Sequence, residues 1–240
     1  MKLLPAFYQV GGPSLSHAYD ATSYLLPAGD TLYLIDCGTP EGYGELLANI
    51  RKLGFDPSRV RAILGTHGHY DHVGAAARFQ ADFGAKLYLH ANDREQVETG
   101  DSVRTTASLL YGASFPPAKV DRLLKEGDVF ETDAGLLQTL HTPGHTMGGC
   151  CFVLRHACGL VALIAADTLH GGFSDKIGSD EVAWRQSLDK LCERNFDCYT
   201  MGHCQPMLFC DANARLSSLR RSFANYLNPW FKTFFEKYPY

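Results

Sequence analysis

The run Thr66-His-Gly-His-Tyr-Asp-His72 constrains this 240-residue chain more than any other stretch. Four side chains able to ligate a metal, His67, His69, Asp71 and His72, are crowded into it. No straight strand or helix points all four the same way, so the run must sit where the chain turns. His67 and His69 alternate, and they share a side if the chain entering the turn is extended. Asp71 and His72 then face a neighbouring position. Imidazole nitrogen suits zinc and late iron, and carboxylate oxygen suits harder cations, so the mixed set points to Zn, Fe or Mn. One ion rarely takes that many ligands from so short a stretch, and two ions are the natural reading.

Three more residues supply what such a site would still lack. His145 stands in Thr142-Pro-Gly-His-Thr146, just after the apolar stretch Leu136 to Leu140. Asp167 follows Leu160-Val-Ala-Leu-Ile-Ala-Ala166, a short continuous apolar run that reads as a buried strand. His203 closes Met201-Gly-His203, after a shorter apolar segment around Tyr199. Each follows a strand candidate, and the loops that gather at a sheet edge carry chemistry.

With these residues in place the chain resembles the metallo-β-lactamase-fold hydrolase superfamily, in its glyoxalase II-like or lactonase-like branch. The likeness rests on His67-x-His69-x-Asp71-His72, then His145, Asp167 and His203, and on Tyr33-Leu-Ile-Asp-Cys-Gly38, which is similar to the family's early strand motif. It implies an α/β fold, a four-layer αββα sandwich. It also implies that His67, His69 and His145 hold one metal ion, that Asp71, His72 and His203 hold a second, and that Asp167 bridges them. The cofactors implied are two divalent ions, zinc foremost, with iron or manganese as alternatives.

Composition agrees with a single domain over 1–240 that carries a helical segment from about 211. The apolar share is 45%, and no apolar run approaches the roughly 20 residues that span a bilayer. Met1 to Tyr8 has no sustained apolar segment, so the expectation is a cytoplasmic protein without a secretory signal or a membrane partner. Net charge is −4, with no basic stripe, which argues against nucleic acid as a partner. Cys192, Cys198, Cys204 and Cys210 recur every six residues, a step that fits neither a strand nor a helix face. Reduced thiols, several of them in the core, are expected, with Cys204 near the metals and Cys150 and Cys151 on a strand. Strand candidates lie at 7–10, 21–26, 31–36, 60–65, 86–89, 128–131, 136–140, 151–154, 160–165 and 197–201. Helices are expected across 42–53, 74–83, from about 92, across 181–193 and from 211. Elements interleaved in this way fit two sheets packed face to face with helices outside. The aromatic run Phe223 to Phe235 covers the core or forms a homodimer interface.

The chemistry expected is hydrolysis. Metal coordination lowers the pKa of water from about 15.7 toward roughly 7, which makes hydroxide available to attack a carbonyl carbon. Asp71 or Asp167 is the candidate proton relay. His170, three positions after Asp167, stands where lactone-hydrolysing relatives place a tyrosine, and it could donate to a substrate oxygen or remain a plain loop residue. Other candidate contacts to a small-molecule substrate are the loop Gly11 to Tyr19 and the stretch Gly100 to Lys125, which includes Tyr111. Asp36 is the leading candidate to orient a ligating imidazole, with Thr66, Thr142 and Thr146 beside it. The resemblance favours a thioester, lactone or related ester as substrate, and the bridging Asp167 argues against a true β-lactamase. Persulfide dioxygenation with one iron on His67, His145 and Asp167 is the alternative, and phosphodiester cleavage a further one.

Overall fold

The computed structural model describes residues 1–203 and 210–225, with side chains as far as 221. Cys204 and the aromatic run from Phe223 lie outside the described side chains. The first sheet takes its strands in chain order: β1 (Lys2–Leu4), β2 (Phe7–Gly11), β3 (Ser23–Ala28), β4 (Thr31–Ile35), β5 (Val60–Leu64), β6 (Lys86–His90) and β7 (Val120–Leu124). Strands β1 to β4 pair antiparallel, and β4 to β7 pair parallel. Parallel neighbours need long crossovers, which bring in α1 (Tyr43–Lys52), α2 (Tyr70–Val73), α3 (Ala76–Phe83), α4 (Ala91–Thr99) and α5 (Ala107–Leu110). The second sheet holds β8 (Val129–Thr132), β9 (Gly135–His141), β10 (Cys150–His156), β11 (Val161–Ile164) and β12 (Cys198–Thr200), ordered β12-β11-β10-β9-β8. Helices α6 (Glu181–Cys192) and α7 (Ala212–Asn225) follow β11 and β12.

Period-two alternation of side chains sorts the core into three slabs. Phe7, Leu26, Ile35 and Leu64 of the first sheet meet Phe130, Leu137, Phe152 and Ile164 of the second between the sheets. Their neighbours Leu25, Leu34, Ile63 and Leu87 face the other way, beneath Leu46 and Ile50 of α1, Phe79 of α3 and Val97 of α4. Cys151, Val153 and Leu163 likewise pack under Trp184 and Leu188 of α6 and Leu216 of α7. The layers are therefore helix, sheet, sheet, helix, the αββα order expected. Strands covered on both faces read as unbroken apolar runs, which is why β11 stands out in the sequence, whereas β5 is interrupted by exposed Arg61. Among the described residues, no helix is long and apolar enough to cross a membrane.

Three local departures have physical causes. The 100–125 stretch, which lacks a regular pattern in the sequence, contains α5 and β7. Strand β7 is an edge strand, so Asp121 and Arg122 sit partly in solvent and break its apolar pattern. The short edge strand β1 is hidden for the same reason. The helix expected over 74–83 is α3, which begins at Ala76, and a separate single-turn helix not expected from the sequence, α2, precedes it and carries Asp71 and His72. The ligand-rich run is thus an extended exit from β5 that passes into a helix.

Candidate metal centre

Strands β4, β5 and β6 run parallel, so their C-terminal ends open on one edge of the sandwich. The chain leaving β5 delivers His67 and His69, and α2 delivers Asp71 and His72. The loops after β9, β11 and β12 bring His145, Asp167 and His203. Backbone bonds pin these loops together. The Thr66 carbonyl accepts from the Cys150 N–H, that of Asp71 from Ala21, and that of His72 from both Cys37 and Gly38.

The side chains converge. His67 Nε2 lies 3.0 Å from His69 Nδ1, which lies 3.1 Å from His145 Nε2. Ligands about 2.0–2.1 Å from a tetrahedral ion would stand roughly 3.3 Å apart, so this trio is spaced to share a cation. Beyond it, Asp71 Oδ2 lies 3.1 Å from His203 Nε2 and 3.5 Å from His72 Nε2. Asp167 stands between the two groups: its Oδ2 is 3.4 Å from His145 Nε2 and 3.1 Å from His203 Nε2, and its Oδ1 is 3.4 Å from His72 Nε2. Ligand atoms fall within 4.8 Å of one another in three trios, His67–His69–His145, His67–His72–Asp167 and Asp71–His72–His203. His72 Nε2 and Asp167 Oδ1 are buried and make no hydrogen bond. Orphaned polar atoms of this kind are costly, and divalent cations between the trios would satisfy both. The residues fit such ions.

A sequence profile of the metallo-beta-lactamase superfamily matches residues 18–221. The chain belongs to that superfamily. A probable metallo-hydrolase, YqgX, from Bacillus subtilis is 28% identical over 165 residues, covering 67% of this chain and 73% of its own. A hydroxyacylglutathione hydrolase from Polaromonas sp. is 33% identical over 156 residues, 64% of this chain and 49% of its own length. Among solved structures, a metallo-beta-lactamase from Cronobacter sakazakii superposes with a TM-score of 0.77 at 21% identity, over 93% of this chain and 94% of that one. It shares the fold.

Within this metallo-beta-lactamase-superfamily site, neighbouring groups orient the imidazoles. Asp36 Oδ2 lies 2.8 Å from His72 Nδ1, and its carboxylate also accepts from Thr66 N and Thr66 Oγ1, each at 2.7 Å. Asp36 takes a left-handed backbone (φ 54°), as does Ala166 (φ 43°) just before Asp167. Strain of this kind gathers where a strand end must turn a side chain into a site. The Gly172 carbonyl lies 2.8 Å from His145 Nδ1. Gly202 has no room for a side chain, since a Cβ there would come 2.0 Å from Asp167 Oδ1.

Asp93, a residue that sequence reasoning missed, ties the two ligand loops together. Buried in α4, it accepts from Gly68 N (2.8 Å), Thr146 Oγ1 (2.7 Å) and Gly148 N (2.9 Å). Burial pushes its carboxyl up, and these three donors oppose that. Asp93→Ala is expected to cost about 2–4 kcal/mol of stability, because it orphans buried donors on both loops. Urea unfolding would show it, and an unchanged midpoint would remove Asp93 from this role.

The remaining candidates divide. Thr66 Oγ1 reaches His67 Nδ1 (3.1 Å), whereas Thr142 bonds Cys151 and Thr168 rather than a ligand. Exposed His170 places its ring 5.1 Å from that of His203, at the mouth. The Tyr111 hydroxyl faces the Asp71 carboxylate, whose charge and proximity, after burial, raise the pKa of the phenol. Its ring packs 5.2 Å from that of exposed Tyr19 and 5.4 Å from that of Tyr70, so the two loops noted in the sequence meet over the Asp71 side.

Charge is arranged asymmetrically. Burial and the neighbouring histidines hold His67 and His69 well below the usual imidazole range, ready as neutral donors. Burial opposes protonation of His203, but Asp167 and Asp71 outweigh it and carry the imidazole up to about 10. Burial raises the Asp71 carboxyl, and His72 and His203 overcome that and bring it to about 2. In the metal-free protein the His203 contribution to stability is complete below pH 6.5 and lost as pH rises through about 10. That of Asp71 is present above 3.8 and lost as pH falls through about 2. A cation entering here must displace the His203 proton, so zinc uptake near pH 7 is expected to release protons and to tighten as pH rises. Calorimetry in buffers of different ionisation enthalpy reads this directly. Buffer-independent heats would contradict the pairing.

Proposed function

We propose that this chain is a dinuclear metal-dependent hydrolase of ester-like carbonyl bonds, thioesters and lactones foremost, with zinc as its metal and a small molecule as its substrate. The observation that carries the reading is Asp167, whose two oxygens face histidines of both ligand groups. His67, His69 and His145 would hold one ion, Asp71, His72 and His203 the other, with Asp167 joining them. Such ions polarise a carbonyl and acidify water at neutral pH. Around them the protein's own groups have separate tasks. Asp36, through His72, and the Gly172 carbonyl, through His145, fix the ring tautomers. Ionised Asp71 or Asp167 would orient the attacking water and relay its proton toward the leaving group. His170 donates to a substrate oxygen at the mouth. Tyr111 and Tyr19 offer an aromatic wall to the acyl portion. Similarity to the hydroxyacylglutathione hydrolase of Polaromonas supports a thioester before a lactone.

The test is metal quantification and a panel of thioesters, lactones, β-lactams and phosphodiesters on one purified sample. Two zinc ions with turnover of a thioester or lactone are expected. One iron with oxygen uptake, or cleavage confined to phosphodiesters, would replace this reading.

A further inference from the structure

A nucleophile–base pair lies at the end of β10 away from the metal centre. That strand starts beside the ligand run, where the Cys150 N–H donates to Thr66, and it ends at His156, roughly 20 Å away by strand rise. The hairpin into β11 then turns through Ala157, Cys158 and Gly159. His156 is buried, and its Nε2 lies 2.8 Å from the carbonyl oxygen of Pro5. A carbonyl can only accept, so Nε2 carries hydrogen and donates. In the neutral ring Nδ1 is therefore the basic nitrogen. It accepts the Cys158 backbone N–H at 3.0 Å and faces Cys158 Sγ at 2.9 Å. Cys158 is exposed, whereas Cys37, Cys150, Cys151 and Cys198 are buried. Cys210 is also exposed, but among the described residues no imidazole touches it.

A thiol in solvent, a base at its sulfur and a third group fixing the base's tautomer form the arrangement that activates sulfur nucleophiles. The geometry points to Cys158 as a site of reversible S-thiolation, exchanging with low-molecular-weight disulfides with His156 as the base. The Cys158 proton passes to His156 Nδ1 as Sγ attacks one sulfur of the disulfide. A new S–S bond forms, the old one breaks, and the departing thiolate takes the proton back. Cys158 is oxidised, half of the disulfide is reduced, and no other oxidant is consumed. When Nδ1 takes the proton it gives up its bond from the Cys158 N–H, while Nε2–H keeps Pro5 in both states. The feature stands apart from the metal centre and does not depend on the hydrolase reading.

Oxidised glutathione is the probe, with modified cysteines mapped by peptide mass spectrometry over time. Cys158 is expected to react at least about tenfold faster than Cys210. His156→Gln should bring the Cys158 rate down to that of Cys210, with Cys37, Cys150 and Cys151 staying unmodified as reporters of an intact fold. Equal rates at Cys158 and Cys210 in the wild-type protein overturn the assignment, and so does a folded His156→Gln protein that keeps the fast rate. Should the variant expose its buried thiols, the wild-type comparison decides alone, and Cys158→Ser must abolish the fast phase.

Discussion

Asp167→Asn is expected to lower kcat/KM by about a thousandfold or more, about 4 kcal/mol of transition-state stabilisation, and to reduce the ion content from two toward one. Asp167 is buried within 3.4 Å of His72 and His145 and 3.1 Å from His203. An amide of the same shape keeps the packing but presents one neutral oxygen where the site needs an anion facing both sides. Burial pushes the Asp167 carboxyl up, yet His203 and His72 outweigh that and hold it well below the usual carboxylate range. Kinetics and metal analysis on the same preparation separate a loss of ions from a loss of turnover. Two ions and full activity in the variant would exclude the bridging role.

The second large effect is expected at Asp36. Asp36→Ala should destabilise the metal-free fold by about 3–5 kcal/mol, because it strands the buried His72 without its partner. It should also weaken the second ion by about 10–100-fold, since a freed imidazole no longer presents Nε2 to the site. Thr66 would lose both of its bonds to the carboxylate. Alanine also tolerates a φ of 54° less well than aspartate does. Urea unfolding in chelator gives the first figure and competitive zinc titration the second. A variant with unchanged stability and affinity would mean that Thr66 alone orients His72.

These two aspartates mark what was legible in the sequence. Asp167 stood out because it ends a continuous apolar run, and Asp36 because it closes the strand motif Tyr33-Leu-Ile-Asp. The four ligand-type residues of the β5 exit announce themselves by local crowding, and strands buried on both faces by unbroken apolar runs. Asp93 gave no such sign. It sits among Ala91, Asn92, Arg94 and Glu95 like any surface helix residue, and its partners lie 25 to 55 residues away. Nor was the approach of Tyr111 to Asp71 legible, because only the tertiary fold lays that loop over α2. Thr142 shows the converse: it neighbours a ligand in sequence, yet its hydroxyl turns to Cys151 and Thr168.

Helix α4 runs from β6 through Asp93 to Gly100 and straight into the stretch that carries Tyr111. Through Gly68, Thr146 and Gly148, the Asp93 carboxylate grips both ligand loops, and the Thr105 carbonyl just downstream accepts the Tyr70 N–H. The segment that covers the site and the loops that carry its ligands are thus tied to one helix. Substitutions along α4 therefore reach the loops that hold the inner histidines without touching a single ligand.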